Sequence, residues 1–320
     1  MRVFITGIEG FVGRHLAVRL RTAGHEVTGS TLQRGDADPF VEMDVRDLDQ
    51  VQRAIGAARP EVVFHLAGEA SVGTSFRRPV ETFEVNSAGA LNVLEACRRA
   101  ATGRVVLVTS CEVYGDLDPA DGPAAETRPM APISPYGASK ADQDLLGEQY
   151  ARSFGLDVVR LRSFPHTGPG QSEPYLFPSV ARRIVEAEAA GGPATVTVGH
   201  VDVVRDLLDV RDVARAYVLL MEHGRAGEAY NVCRGRGRVL REMLEELCGL
   251  ARVPVRLEVD RSRRRPADTA WMVGDPTKLR AETEWRPVIE WRETADDLLE
   301  DARTRWTGAE PRAGSGAGGG

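Results

Sequence analysis

The sequence predicts an α/β fold: a doubly wound parallel sheet joined to a smaller C-terminal region. Three observations carry that prediction. The chain begins with a short apolar strand that runs through a glycine-rich turn into a helical pattern, over residues 2–20. Further short strand-like runs follow at 26–30, 62–66, 105–109 and 157–162, with helical periods between them, the rhythm of parallel strands joined by crossover helices. With 320 residues the chain is long enough for one large α/β domain or two smaller ones.

Composition narrows the class. A hydrophobic fraction of 42% and a charged fraction of 28% are those of a globular protein in water. Lys plus Arg is 41 against 47 for Asp plus Glu, a net charge of −6, which argues against a nucleic-acid partner. No apolar run has the length needed to cross a bilayer, and the start lacks the apolar core of a signal peptide, so a cytoplasmic protein is expected. Cys97, Cys111, Cys233 and Cys248 lie far apart and off metal-ligand spacing; reduced thiols and no metal are expected.

Residues 2–6 alternate into the first strand, which ends at Gly7-Ile8-Glu9-Gly10-Phe11-Val12-Gly13, with Leu16, Val18 and Leu20 following at helical spacing. A strand, a glycine turn and a helix in that order form a dinucleotide cradle of Rossmann type. Gly7 permits the tight turn, Gly10 lets backbone N–H groups approach a pyrophosphate, and Gly13 lets helix and strand pack closely. Gly7, Glu9, Gly10, Phe11, Val12 and Gly13 are the first candidate cofactor residues.

The second strand, Glu26 to Ser30, ends without the Asp or Glu that usually reads the adenosine ribose of NAD. Ser30 with nearby Arg34 suits a 2′-phosphate, so NADP(H) is the expected cofactor and NAD(H) the second candidate. Asp36 is the competing ribose ligand. After a short third strand, Asp44 and Val45 are placed to meet the adenine edge. The strand Val62–Leu66 then runs into Ala67-Gly68, where Leu66, Ala67 and Gly68 let phosphate and ribose lie against the chain. His65 reads as a packed strand residue. Residues 80–100 read as a helix burying Phe83, Ala90, Val93, Leu94 and Cys97, with Asn86 as a structural amide.

The stretch from Thr109 to Lys140 carries the chemistry. The strand Val105–Thr109 delivers Ser110, Cys111 and Glu112 to the carboxyl end of the sheet, the edge where doubly wound folds place ligands. A Pro- and Gly-rich loop, 116–135, leads into a second helix with Leu145, Leu146, Tyr150 and Phe154 as its apolar positions. Ser134 can cap that helix and Pro135 suits its first turn, so Tyr136 and Lys140 fall one turn apart on one face. A free phenol titrates near ~10, and an ammonium beside it favours the phenolate and lowers that value. Ser110 adds a hydroxyl that can hold a reacting oxygen. The trio can move a proton on and off that oxygen while a hydride moves on or off its carbon. Tyr-x-x-x-Lys also arises as an ordinary surface pair, so the spacing needs its context. Cys111 reads as a space-filling thiol.

The strand Asp157–Arg162 closes a first unit, residues 1–163, completed by about 203–233; residues 164–306 mainly form a substrate-binding region and 307–320 a disordered, glycine-rich tail. In the second region, Phe164 to Gln171 is a loop dense in Gly and Pro that includes His166. Asp209 and Asp212 form a capping pair ahead of a helix ending near Gly224. Arg261 to Arg265 is a basic segment in an acidic protein, and Arg205 and Arg265 are candidates to hold a pyrophosphate.

These strings together resemble an extended short-chain dehydrogenase/reductase of the NAD-dependent epimerase/dehydratase family, over residues 1–300. The likeness is greatest to the branch with GDP-mannose 4,6-dehydratase and GDP-6-deoxy-4-keto-mannose reductase. It rests on Arg128-Pro129-Met130 ahead of Ser134-Pro135-Tyr136-Gly137, on His166-Thr167-Gly168-Pro169-Gly170-Gln171, on Val204-Arg205-Asp206 and Asp209-Val210-Arg211-Asp212, and on Tyr230-Asn231-Val232-Cys233 and Arg265-Pro266-Ala267-Asp268. The resemblance implies that Tyr136 is the acid/base, that Lys140 lowers its pKa and holds the nicotinamide ribose, and that Ser110 orients the substrate oxygen. It places His166 at the cofactor and Ser110, Glu112, Arg205, Arg265 and Asp268 at a nucleotide-diphosphate sugar, a GDP-sugar above all. Two positions depart from the pattern: Pro165 stands where the family has asparagine and Asp268 where it has glutamate. The implied reaction is NADPH-dependent reduction of a 4-keto-6-deoxy sugar; the alternatives are a 4,6-dehydratase or 4-epimerase that recycles its cofactor, or a nucleotide sensor without activity. The family also implies a homodimer through a four-helix bundle of helices 80–100 and 136–154.

Overall fold

The computed structural model describes residues 1–32, 40–260 and 269–307. Six strands come early: β1 (Arg2–Thr6), β2 (Glu26–Thr31), β3 (Val41–Glu42), β4 (Val62–His65), β5 (Arg104–Ser110) and β6 (Val158–Ser163). Four small strands follow, β7 (His166–Thr167), β8 (Ala194–Val198), β9 (Val204–Arg205) and β10 (Leu208–Asp209), before β11 (Ala229–Val232) returns to the main sheet. Its order is β11-β6-β5-β4-β1-β2-β3, with every neighbouring pair parallel. Chain order reverses between β1 and β4: β2 and β3 go to one side, β4 to β6 to the other. A crevice opens at such a reversal, beyond the carboxyl ends of the two strands.

Both faces of the sheet are covered, which is why β4 and β6 are buried along their whole length rather than at alternate residues. Helices α1 (Phe11–Thr22) and α2 (Leu48–Ala58) take opposite sides. α3 (Val72–Arg77), α4 (Pro79–Phe83), α5 (Gly89–Arg99) and α6 (Pro135–Phe154) follow, and α7 (Leu176–Ala190) and α8 (Val210–His223) come after β7 and β10. Ile5 of β1 packs with Leu16 and Leu20 of α1 and with Tyr217 and Leu220 of α8. Its neighbour Phe4 points the other way, to Ile55 of α2 and Val93 and Leu94 of α5, as the pleat requires.

The C-terminal region has its own core, in which Phe177 and Ile184 of α7 meet Leu244 of α9 (Leu240–Cys248) and Leu298 of α11 (Trp291–Thr307). β12 (Arg238–Val239) and β14 (Trp271–Met272) flank β9, while β13 (Val255–Val259) pairs with β8; α10 (Thr277–Thr283) packs against β11 and α8. Cys111, Tyr114 and Leu117 pack with Phe164, Cys233 and Met272 where the two parts of the chain meet.

Several expected elements differ in detail. The helix expected over 80–100 is broken by a π-helical turn at Glu84–Ala88, the extra residue shifting the helical face. Phe83, expected inside, is 37% exposed, whereas Ala90, Val93, Leu94 and Cys97 are buried as expected. On α6 Tyr150 is buried, but Leu145 and Phe154, taken as its apolar side, are 52% and 53% exposed; the sheet side of α6 holds Ser139, Lys140, Gln143 and Asp144. Asp209 does cap α8, accepting from the Arg211 N–H at 2.8 Å. Asp212 does not share that role: its carboxylate turns away to accept from the Val288 and Ile289 N–H groups, both at 2.9 Å. α11 runs through Thr307, the first residue of the expected tail; residues 308–320 lie outside the described residues.

Candidate active site

The glycine turn sits at the reversal point. Gly7 has φ +69°, and a Cβ there would come within 3.1 Å of the Ala67 backbone across the crevice; at Gly13 it would lie 2.5 Å from the Gly7 carbonyl. Both positions therefore require glycine. α1 starts at Phe11 with Gly10 as its N-cap and no side chain covering its first N–H groups, which leaves them for an anion. Ser30 fixes the turn through its carbonyl, which accepts from Gly7 N–H at 2.9 Å and Ile8 N–H at 3.1 Å.

A residue the sequence did not single out, Thr6, ties the two walls together. Its hydroxyl accepts from Leu66 N–H and Ala67 N–H, both at 3.1 Å, so its own proton goes to His65 Nδ1 at 2.9 Å. His65 is thereby a neutral, packed residue, and burial holds its pKa down to about 3.

Two cavities adjoin along the crevice, of about 430 and 490 Å³, and both are lined by Gly7, Gly10, Leu66 and Gly68. The first also takes in Glu9, Ser30, Asp44, Val45 and Ala67. The Asp44 carboxylate is forked by Arg46, at 2.6 Å between Nη2 and Oδ2, and this ion pair lowers its pKa. The second cavity takes in Phe11, Val12 and Gly13 on one side, and Ser110, Glu112, Tyr136, Lys140 and His166 on the other. All the expected cofactor and catalytic residues within the described residues thus lie along one groove, whose size suits a dinucleotide. Arg34, Arg265 and Asp268, with the basic segment at 261–265, lie outside the described residues. Arg205 lines neither cavity; it is half-buried on β9, its Nη1 donating to the Val204 carbonyl at 2.9 Å, and its charge acts on the Cys111 thiol.

The candidate catalytic side chains are set by local structure. Ser110 ends β5, and its Oγ accepts from the Glu112 N–H at 3.2 Å, opening a 3₁₀ turn over Cys111–Tyr114. The Ser134 Oγ caps α6 by accepting from Gly137 N–H at 2.9 Å, and Pro135 occupies its first position. Lys140 Nζ donates to the Val108 carbonyl at 3.2 Å and to Gln143 Oε1 at 2.8 Å. Gln143, one turn on from Lys140, was not foreseen; the i, i+3 spacing on a face already marked as functional was the available signal. The expected pull of Lys140 on the phenol is not what dominates. Burial pushes the Tyr136 pKa up, against a hydrogen bond from Ser110 that favours the phenolate, and burial also lowers Lys140 to about 8.

Asn86 sits in the π-helical turn and is wholly buried. Its Oδ1 accepts from Glu69 N–H at 2.9 Å, and its Nδ2 donates to the Glu69 carbonyl at 3.1 Å and to Ser139 Oγ at 2.9 Å. It is the structural amide expected, and it fastens the cofactor wall to α6. His166 Nδ1 donates to the Phe164 carbonyl at 2.9 Å, and the ring stacks on Phe11 at 6.1 Å, with burial lowering its pKa. Tyr175 and Gln171 also line the second cavity; Gln171 ends the His166–Gln171 string but was not singled out as a site residue, and Tyr175 lies outside every motif. The Cys111 thiol is buried and pushed well up by that burial, which makes it an inert filler. All four cysteines are free and buried. No helix among the described residues is long and apolar enough to cross a membrane.

Comparison with known proteins agrees with this geometry. The model of the NAD dependent epimerase/dehydratase family matches residues 3–233. GDP-6-deoxy-D-mannose reductase of Pseudomonas aeruginosa is 34% identical over 95% of this chain and 98% of its own. The structure of RMD from Pseudomonas aeruginosa complexed with NADPH superposes with a TM-score of 0.85 at 33% identity, covering 95% of this chain and 99% of that one. The UDP-glucose 4-epimerase of Thermus thermophilus, in complex with NAD, superposes with a TM-score of 0.81 at 34% identity and the same coverage. With a family match over most of its length and Ser110, Tyr136 and Lys140 together in the crevice at the carboxyl edge of the sheet, the chain belongs to the NAD dependent epimerase/dehydratase family, as an NAD(P)-dependent oxidoreductase of the short-chain dehydrogenase/reductase type.

Proposed function

We propose that the protein is an NADPH-dependent reductase of a nucleotide-activated 4-keto-6-deoxy sugar, with GDP-4-keto-6-deoxy-mannose as the substrate. The observation that carries this reading is the convergence of Ser110, Glu112, Tyr136 and Lys140 on one cavity continuous with the cofactor groove. The likeness to a GDP-6-deoxy-D-mannose reductase over nearly the whole chain supports the choice of substrate. For NADP over NAD, the support is Ser30 near the end of β2, whose described C-terminal residues include no carboxylate to exclude a 2′-phosphate, with Arg34 as the partner and Asp36 as the competing ligand.

When bound, the nicotinamide supplies the hydride. This chain does the rest. Ser110 hydrogen-bonds the C4 carbonyl oxygen and Tyr136 gives that oxygen its proton. Burial keeps the phenol protonated at neutral pH, which suits a donor. Lys140, steadied by Val108 and Gln143, supplies a buried cation near the nicotinamide ribose. Arg205, Arg265 and Asp268 hold the diphosphate and ribose of the substrate.

The second reading is a dehydratase or 4-epimerase, favoured by the epimerase likeness and by Glu112, a carboxylate able to take a C5 proton. Glu112 does not separate the two, because a reductase can retain it. Incubation with GDP-mannose, then with its 4-keto-6-deoxy product, distinguishes them. A reductase oxidises NADPH stoichiometrically with the keto sugar. Conversion of GDP-mannose without net cofactor use would establish the dehydratase, and no turnover of either sugar would leave a sensor.

We also assign a homodimer. Val80 of α4, Leu91 of α5 and Leu145 of α6 are left exposed, Val80 at 72%, and bare apolar side chains on these helices suit a four-helix bundle with a second copy. A monomer by light scattering at micromolar concentration would contradict it. Four free thiols fit a cytoplasmic setting.

A further inference from the structure

Outside the catalytic groove, α1 and α8 lie against each other and leave a cavity of about 730 Å³ along their shared margin. We propose that this groove is a second binding site, for a small phosphorylated molecule with an apolar body.

The helical repeat builds it. Arg14, Val18 and Thr22 form one row along α1 and His15 and Arg19 the next; on α8 Arg211, Arg215 and Leu219 face Ala214 and Val218 in the same way. Apolar side chains therefore make the floor, and arginines stand at its margins. Ala214 and Val218 are buried beneath the groove, while Val18 stands beside it 64% exposed, a branched apolar residue that nothing in the described chain covers.

The arginines divide into two kinds. Arg211 is held by Asp209 at 2.9 Å and Asp297 at 2.7 Å, and Arg215 by Asp212 at 2.6 Å, so their charge is already met. The side chains of Arg14 and Arg19 make no hydrogen bond or ion pair among the described residues, although both stand beside the same cavity. Glu222 is the one carboxylate among the described lining residues. In a chain of net charge −6, this leaves a locally positive groove with an apolar base. A planar guanidinium presents paired donors that match a phosphate, so two free ones over apolar carbon select an anion that also carries a ring or short chain. The alternative, a macromolecular partner, is less suited to a concave space of this volume, which is the size of a small-molecule site.

The groove is separate from the cofactor cradle, because Arg14 lines it and lines neither crevice cavity. It is nonetheless joined to that cradle: His15 Nε2 donates to the Pro169 carbonyl at 2.8 Å, and its ring stands edge-on to Phe11 of the catalytic cavity at 5.6 Å.

The test uses full-length protein saturated with NADPH, so that the cradle is filled, and titrates it with phenyl phosphate by calorimetry. One saturable equivalent is expected, bound more tightly than inorganic phosphate. Arg14→Gln combined with Arg19→Gln should weaken binding by about tenfold or more while turnover and helicity stay unchanged, and Val18→Asp alone should weaken it too. Absence of saturable binding up to about 10 mM overturns the proposal. So does equal affinity in the double variant, or equal affinity for inorganic phosphate.

Discussion

The carboxyl edge of the sheet and the proposed substrate side of the C-terminal region are built in different ways. At the sheet edge each working side chain is fixed by short local bonds from regular elements: Ser110 at the end of β5, Tyr136 and Lys140 one turn apart on a capped α6, and Asn86 fastening α6 to the wall opposite. On the other side, Arg205 stands on a two-residue strand whose neighbours, β12 and β14, are equally short. Precise geometry for proton transfer needs the first arrangement, while recognition of a variable nucleotide tolerates the second. Damage to the edge should therefore appear in turnover, and damage to the substrate side in KM.

The largest effect expected is at Tyr136. Tyr136→Phe should lower kcat by about 10² to 10⁴ while NADPH binding, measured by fluorescence titration, stays nearly unchanged. Unchanged turnover would remove Tyr136 from the mechanism. Next comes Lys140, whose pKa falls from 10.5 to about 8 on burial, a cost of about 3 kcal/mol for the charged form. Below pH 8 folded and unfolded chains both hold that proton and the cost is carried in full. Between 8 and 10.5 the unfolded chain binds more protons, so the contribution of Lys140 to stability rises with pH across that window. Urea melts of Lys140→Met should lack this rise; identical pH slopes in the two proteins would show that Lys140 is not desolvated.

Arg205→Gln sharpens the contrast. KM for the nucleotide sugar should rise about tenfold with kcat little changed, as for a contact kept from ground state to transition state. A fall in kcat alone would place Arg205 with the catalytic group. The smallest effect is at the cap of α6: Ser134→Ala should cost about 1 kcal/mol in a chemical melt, without altering the chemistry.

The same contrast explains what could be read in the chain beforehand. Gly7, Gly10 and Gly13, the Ser134-Pro135 cap and the Tyr136/Lys140 spacing are local patterns, and each is set by its own backbone geometry. The exposure of Leu145 and Phe154 was not legible, because α6 turns Lys140, Gln143 and Asp144 toward the sheet and reverses the usual sidedness of a surface helix. The π-helical turn at 84–88 answers to a contact between Asn86 and Ser139, which are 53 residues apart. Thr6 was silent for a similar reason: its task depends on β4 lying beside β1. The direction of the Tyr136 pKa depended on burial, which spacing does not reveal.

Hydride transfer from added cofactor to the sugar is the most direct check. NADPH deuterated on its reactive face is mixed with the keto sugar and the product is weighed by mass spectrometry. One deuterium at C4 for each NADPH consumed is the expected result; a product formed without deuterium, from a cofactor that never leaves the protein, would contradict it.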